Sequence, residues 1–265
     1  MTILAELQLH RGEDVYRFGY PADVTGQNVF RASLIRLVNW EQQRPGQWED
    51  IVRYAKGLAF EALGEFEEAA AQFGRVAVLD TELSEAAAER LQVDLRLAEL
   101  ANFEPEGETL ALFLLSMAEN VDRWRREAAL REGTEWEAVA RHGWEQAEMR
   151  QAEILREVRF SIERGDERYR EACQQLIEHH ADSHRVHQHW LRLGDHHRDL
   201  AERLAVFSPP SQTAFDIDTF EQLVGAARTI YLQVERADGF REKLEARARL
   251  AALEQFAQRV REDAR

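Results

Sequence analysis

The sequence is poor in the residues that staple or interrupt a fold. Cys173 is the one cysteine in 265 residues, which excludes an internal disulfide framework. It stands beside Ala172, between Tyr169 and Leu176, and that setting suits a packed thiol, free cysteine being among the most buried residue types. The five prolines, Pro21, Pro45, Pro105, Pro209 and Pro210, fall where connections are expected, and 14 glycines are few for this length, so long uninterrupted helices are permitted. The longest strongly apolar run, LALFLLSMA at 110–118, is about half of what a bilayer span requires. No basic-then-apolar leader opens the chain, because Glu6 stands where positive charge would be needed. As it stands the chain reads as cytoplasmic; one already trimmed of a leader, and therefore periplasmic, would begin no differently.

Positive charge is the second deficit. With 49 acidic against 34 basic side chains the formal charge is −15, and such a surface repels a phosphate backbone, so nucleic-acid binding is not expected. Arg123, Arg125 and Arg126 are interleaved with Glu119, Asp122 and Glu127, the pattern of a solvated helix face. A protein or peptide partner chosen by field alone would be neutral or basic. Catalytic signatures are also missing: the sequence has no HExxH, CxxC or GxSxG motif and no ExxH pair of the di-iron kind. Asp195, His196 and Asp199 resemble parts of an acid–base set, but no nucleophile can be assigned to them, and the expectation is a protein that is not an enzyme.

What the sequence does have is helical periodicity. Residues 54–80 carry an apolar stripe at Ala55, Leu58, Ala59 and Ala62, then at Phe66, Ala69, Ala70, Phe73, Ala77 and Val78, with Gly64 between the two runs. The i, i+3, i+4 spacing predicts two helices, alanines allowing close approach and phenylalanines filling the gap. This segment resembles a tetratricopeptide repeat, a helix-turn-helix unit of ~34 residues that stacks with its neighbours. The likeness rests on Gly57, Phe60, Gly64, Phe66, Glu68, Ala69, Phe73, Leu79 and Asp80. It covers residues 50–82. Arg53 and Lys56 depart from the family pattern, which has large apolar residues there, and Thr81 replaces its closing proline. The resemblance implies an all-α fold of antiparallel helical hairpins in an irregular right-handed solenoid, acting as a scaffold for protein–protein interaction or for assembly of a bacterial-type complex. It also implies that the first helix of the repeat lines the binding face, so Arg53, Lys56, Phe60 and Glu61 become the candidate partner contacts.

The rest of the chain divides in the same terms. Residues 1–27 alternate at Ile3, Ala5, Leu7 and Leu9 and again at Val15, Tyr16, Phe18 and Tyr20, which predicts a short hairpin or an extended N-terminal arm, although 4–9 also suits a turn and a half of helix. Residues 28–208 read as the helical array. Within it, 110–118 is apolar all round and is expected to be centrally buried, and Thr134 with Glu137 forms a capping-box signature opening a helix of roughly 30 residues. The loop SPPSQTAFDID is the expected hinge. Residues 218–265 read as a closing hairpin that pairs Phe220, Leu223, Val224, Ala227, Ile230, Tyr231 and Val234 with Phe240, Leu244, Leu250, Leu253, Phe256 and Val260.

Seven of the nine histidines fall within 179–197. A turn at 181–183 would bring His180, His184 and His187 to one tip, and imidazoles so placed suit Zn or Ni. Helical counting puts His197 on the apolar stripe of Val186, Trp190, Leu193, Leu200 and Leu204, and turns His179, His187 and His196 outward. The cluster could equally respond to protons, since histidines charge near pH ~6.5, or serve only surface and packing roles. The segment 174–195 is similar to the degenerate repeats of bacterial envelope-assembly lipoproteins. Of the six tryptophans, most sit on apolar stripes and read as core; one or two could line a peptide groove.

Overall fold

The structure, a computed structural model, describes residues 2–13, 28–237 and 241–264. These form eleven α-helices and no strand: α1 (Thr2–Glu13), α2 (Asn28–Gln43), α3 (Glu49–Leu63), α4 (Phe66–Ala77), α5 (Ser84–Ala101), α6 (Leu110–Leu130), α7 (Glu137–Val158), α8 (Gly165–His179), α9 (Val186–Phe207), α10 (Ile217–Glu235) and α11 (Glu242–Asp263). Successive helices pack on one another from α1 to α5 and again from α8 to α11, and the all-α expectation holds. The chain divides into two compact units, 1–151 and 152–265, the division falling within α7.

In the first unit the hairpin of α3 and α4 is the best-defined element. Gly64 closes α3 in the left-handed region, φ 77°, where glycine carries no steric penalty. Gly57 then fixes how closely the helices approach, since a Cβ at that position would stand 2.6 Å from the ring of Phe73. Phe73, Val76 and Ala69 are fully buried, with Leu58 and Ala87 of the neighbouring helices in the same cluster.

The strand-like start does not form. Residues 2–13 are helix α1, because Ile3, Leu4 and Leu7 also follow helical spacing and together cover Leu37, Val52 and Ala55 of α2 and α3. Leu7 is 1 % exposed within this cluster. Val15, Tyr16, Phe18 and Tyr20 lie outside the described residues.

Two further expectations are corrected in α6 and α7. The apolar start of α6 is not buried: Leu112 is 51 % and Leu115 55 % exposed, while the packed face begins at Met117 and continues through Asn120, Trp124, Glu127 and Ala128. The tryptophan rings decide this packing. Trp124, Trp136 and Trp144 fill the space around Leu97, Leu100 and Ala147, and Gly143 leaves room for the Trp124 ring, which a Cβ would meet at 2.1 Å. Helix α7 spans 22 residues rather than roughly 30. It ends at Val158, and beyond the connecting turn Arg164, with a left-handed φ of 54°, precedes Gly165, which starts α8 where a Cβ would stand 1.9 Å from the Arg159 carbonyl oxygen. The Thr134–Glu137 cap forms one residue out of register: Gly133 N–H donates to Glu137 at 2.8 Å and Trp136 N–H donates to Thr134 Oγ1 at 3.3 Å.

The second unit repeats the geometry of α3 and α4 in α9 and α10. A Cβ on Gly194 would stand 2.6 Å from the Tyr231 ring, and a fully buried alanine, Ala227, precedes that ring by one helical turn, as Ala69 precedes Phe73. Phe220, Val224, Tyr231 and Val234 pack against Ala246, Leu253, Ala257 and Val260 of α11. Leu244 does not join them and is 66 % exposed; the buried stripe on α11 runs through Ala246, two positions away. Phe240 lies outside the described residues. The loop 208–216 joins two helices packed within one cluster and is pinned at its end by Asp216, whose carboxylate accepts from Thr219 N–H at 3.0 Å and from its hydroxyl at 2.6 Å.

Candidate functional site

The α3 residues expected to meet a partner do not share one environment. Arg53 is half-buried and pairs with Glu49 at 2.8 Å. Lys56 is buried and its ammonium pairs with Glu41 of α2 at 2.5 Å; this hydrogen bond holds the Glu41 carboxyl below the usual carboxylate range. The lysine at 56 is thus explained by an ion pair between α2 and α3, and the arginine at 53 by one within α3. Phe60 is half-buried beside the Phe73 cluster.

Glu61 turns inward. It is 1 % exposed and accepts from Arg90 Nη1 at 2.8 Å to each oxygen and from Trp136 Nε1 at 3.1 Å. Arg90, 3 % exposed, also donates to Tyr54 at 2.9 Å and pairs with Glu135. Its guanidinium lies 5.3 Å from the Trp136 ring centroid and within 5.8 Å of those of Tyr54 and Phe73. A delocalised, weakly hydrated cation among aromatic faces and carboxylates is the arrangement in which arginine tolerates burial. This cluster ties α3, α4 and α5 to the start of α7. It removes Glu61 from the exposed surface.

In the second unit, α8 and α9 bring part of the histidine segment into the interior. His189 and His196 are 1 % and 2 % exposed and His180 3 %, whereas His179, His184, His187 and His197 are half-buried. His196 is therefore not outward-facing. It sits edge-on to the Tyr169 ring, 5.0 Å between centroids, and burial drives its pKa down to about 4, with His197 and Arg159 assisting and Asp166 and Asp199 opposing. His197 is lowered by burial and by Arg170, and His187 by burial against the pull of Glu242. Among the described residues, no group of three or more His, Cys, Asp or Glu side chains is placed to hold an ion.

The acid–base fragment at 195–199 separates in the same way. Asp195 accepts from the Tyr231 hydroxyl at 2.7 Å and pairs with Arg249 at 3.3 Å, while Asp199 takes Arg159 at 3.4 Å. Asp195 therefore serves α10 and α11, whereas His196 serves α8. Burial pushes the Cys173 thiol up to about 11, so it is held in the unreactive form.

Two exposed features escaped the sequence reading. At the turn into α3, Trp48 adopts φ 55° and stacks on Trp40 at 5.6 Å, with Arg44 on the Trp40 ring at 4.1 Å; Trp48 remains 52 % exposed. The other is the bare start of α6. Neither carries a motif or a periodicity that could have pointed to it. Compared with known proteins, the sequence matches no family model, and no curated protein is similar enough to count as a relative.

Proposed function

We propose that this protein is a non-catalytic, tetratricopeptide-like scaffold whose helical hairpins hold another protein, as in the assembly of a bacterial-type complex. The observation that carries the reading is the hairpin geometry itself: Gly57 seats Phe73 in α3 and α4, and Gly194 seats Tyr231 in α9 and α10, each with an alanine one turn before the ring. Hairpins of this kind present surface rather than a reaction cavity, and the polar groups that would suggest chemistry are engaged in packing. On α3 the side chains left for a partner are Arg53 and Phe60; Lys56 and Glu61 act through their ion pairs. The partner is neutral or basic, as a charge of −15 favours. The test is in-cell crosslinking with mass spectrometry on the tagged chain at its native level. A recurrent, near-stoichiometric protein crosslinked to it supports the reading, and absence of any such protein refutes it.

A second reading, a proton-responsive module at 179–197, is favoured by one observation, the burial of His196 beside half-buried His197. Its cause is physical, because neither imidazole can charge without loss of packing. A metal-responsive version with Zn or Ni rests on the histidine spacing alone, and isothermal titration with each ion tests it.

A further inference from the structure

The start of α6 is an apolar surface framed by carboxylates. Leu110, Leu112 and Leu115 are 36 %, 51 % and 55 % exposed, and Ala111 is exposed beside them. Leu112, Leu115 and Glu119 follow one another along one face of α6, and Glu108 lies in the loop just before the extended N-cap Thr109. From residue 97 to 122 the sequence has six acids and no lysine, arginine or histidine. The outer two are already neutralised: Glu99 pairs with Arg96 at 2.7 Å and Asp122 with Arg125 at 2.7 Å. Glu104, Glu106, Glu108 and Glu119 are exposed and make no ion pair among the described residues.

The frame is held in place. Glu106 N–H donates to Ser116 Oγ at 3.1 Å, and Gly107 lies so close to α6 that a Cβ there would stand 2.4 Å from the Phe113 nitrogen. Thr109 caps the helix by accepting from Leu112 N–H at 3.3 Å. Arg150 reaches the loop but donates to the Phe103 carbonyl at 3.4 Å, so it leaves the four carboxylates uncompensated. Leucines and acids are therefore presented by one hydrogen-bonded segment.

We infer that this face of α6 is the docking site for a basic amphipathic helix, one with apolar residues at i, i+3 or i+4 and i+7 and a lysine or arginine at each end of that stripe. Charge chooses this occupant. A second copy of the chain docking the same way would set carboxylate against carboxylate, and an anionic lipid surface would be repelled for the same reason. An apolar peptide without cations would leave four carboxylates at the edge of a drying interface with nothing to replace their water. The inference rests on the scaffold reading and specifies one of its surfaces and the partner chemistry.

The probe is a synthetic 18-residue helical peptide with a leucine stripe flanked by lysines, followed by fluorescence anisotropy in low salt, alongside a twin with those lysines changed to glutamate. The expected result is saturable binding of the lysine peptide, at least about 10-fold tighter than the twin and weakened by added salt. The double variant Leu112→Gln, Leu115→Gln loses this binding by a similar factor. Glu108→Lys with Glu119→Lys reverses the preference between the two peptides; circular dichroism confirms an unchanged helical signal in both variants. Equal binding of the two peptides, or none, overturns the proposal. So does a dimer of the intact chain that the leucine double variant abolishes, or binding to zwitterionic phosphatidylcholine vesicles that it abolishes. If the peptide fails while crosslinked partners persist elsewhere, the scaffold reading stands and this surface assignment falls.

Discussion

Lowering the pH should loosen the second unit through His196, and the size of the effect follows from where that side chain sits. At 2 % exposure, edge-on to Tyr169, it is held neutral with its pKa near 4 against an ordinary value of 6.5. The unfolded chain therefore takes up a proton first. Stability is complete above pH ~6.5, declines as pH falls from there to about 4, and levels off below, when both states are protonated. Going from pH 7 to pH 5 should remove about 2 kcal/mol from this residue alone, toward a ceiling of about 3 kcal/mol. The groups around it bear on the result: Asp166 and Asp199 favour the charged form, Arg159 and His197 oppose it. Amide hydrogen exchange on peptides from α8 and α9, corrected for the intrinsic pH dependence of exchange, reads the effect as a fall in protection of about 20-fold. His196→Gln lowers protection at pH 7 by losing the Tyr169 contact, but it should flatten the pH slope, leaving the smaller contribution of His197. Equal slopes in the wild type and this variant would refute the argument.

Three further outcomes follow from the packing. Gly57→Ala gains up to about 1 kcal/mol of helix propensity, yet the added Cβ meets the Phe73 ring at 2.6 Å; a net loss of ~1–3 kcal/mol in urea melts is expected, with partial rescue by Phe73→Leu. Arg90→Met leaves the Glu61 carboxylate buried and should cost about 3–5 kcal/mol. Adding Glu61→Gln to Arg90→Met should recover much of that loss; if it recovers nothing in thermal melts, the ion pair is not what holds α3, α5 and α7. Cys173, 0 % exposed with its thiol raised to about 11, should ignore a thiol-reactive disulfide reagent in the folded chain and react fully in denaturant. Rapid labelling of the native protein would contradict its placement.

The residues also show which parts of the fold a sequence can disclose. Gly57 and Phe73 are 16 positions apart across a two-residue turn, so their spacing survives in one dimension and the hairpin of α3 and α4 is legible. Gly194 and Tyr231 form the same contact 37 positions apart, because the loop 208–216 and longer helices intervene, and no periodic reading links them. The partner of Glu61 was hidden for a related reason. Arg90 belongs to a different helix, and a glutamate at that position reads as surface until the aromatic rings around it are known. His196 was misread because helical counting assumes one buried stripe, whereas α9 is covered by α8 on one side and by α10 and α11 on the other.

The start of α6 failed in the opposite sense. A run such as LALFLL has no polar side, so hydropathy alone assigns it to the interior, and burial of its leucines would be favoured by ~25 cal/mol for each Å² removed from water. The protein forgoes that gain. Trp124, Asn120 and Met117 determine which half of α6 packs, and the capped, glycine-pinned loop at 104–108 holds the other half away from the core. The cost of exposing Leu112 and Leu115 is a property of the isolated chain, and docking of a basic helix on them would remove it. The start of α6 therefore keeps Leu112 and Leu115 half-exposed beside carboxylates that make no ion pair among the described residues.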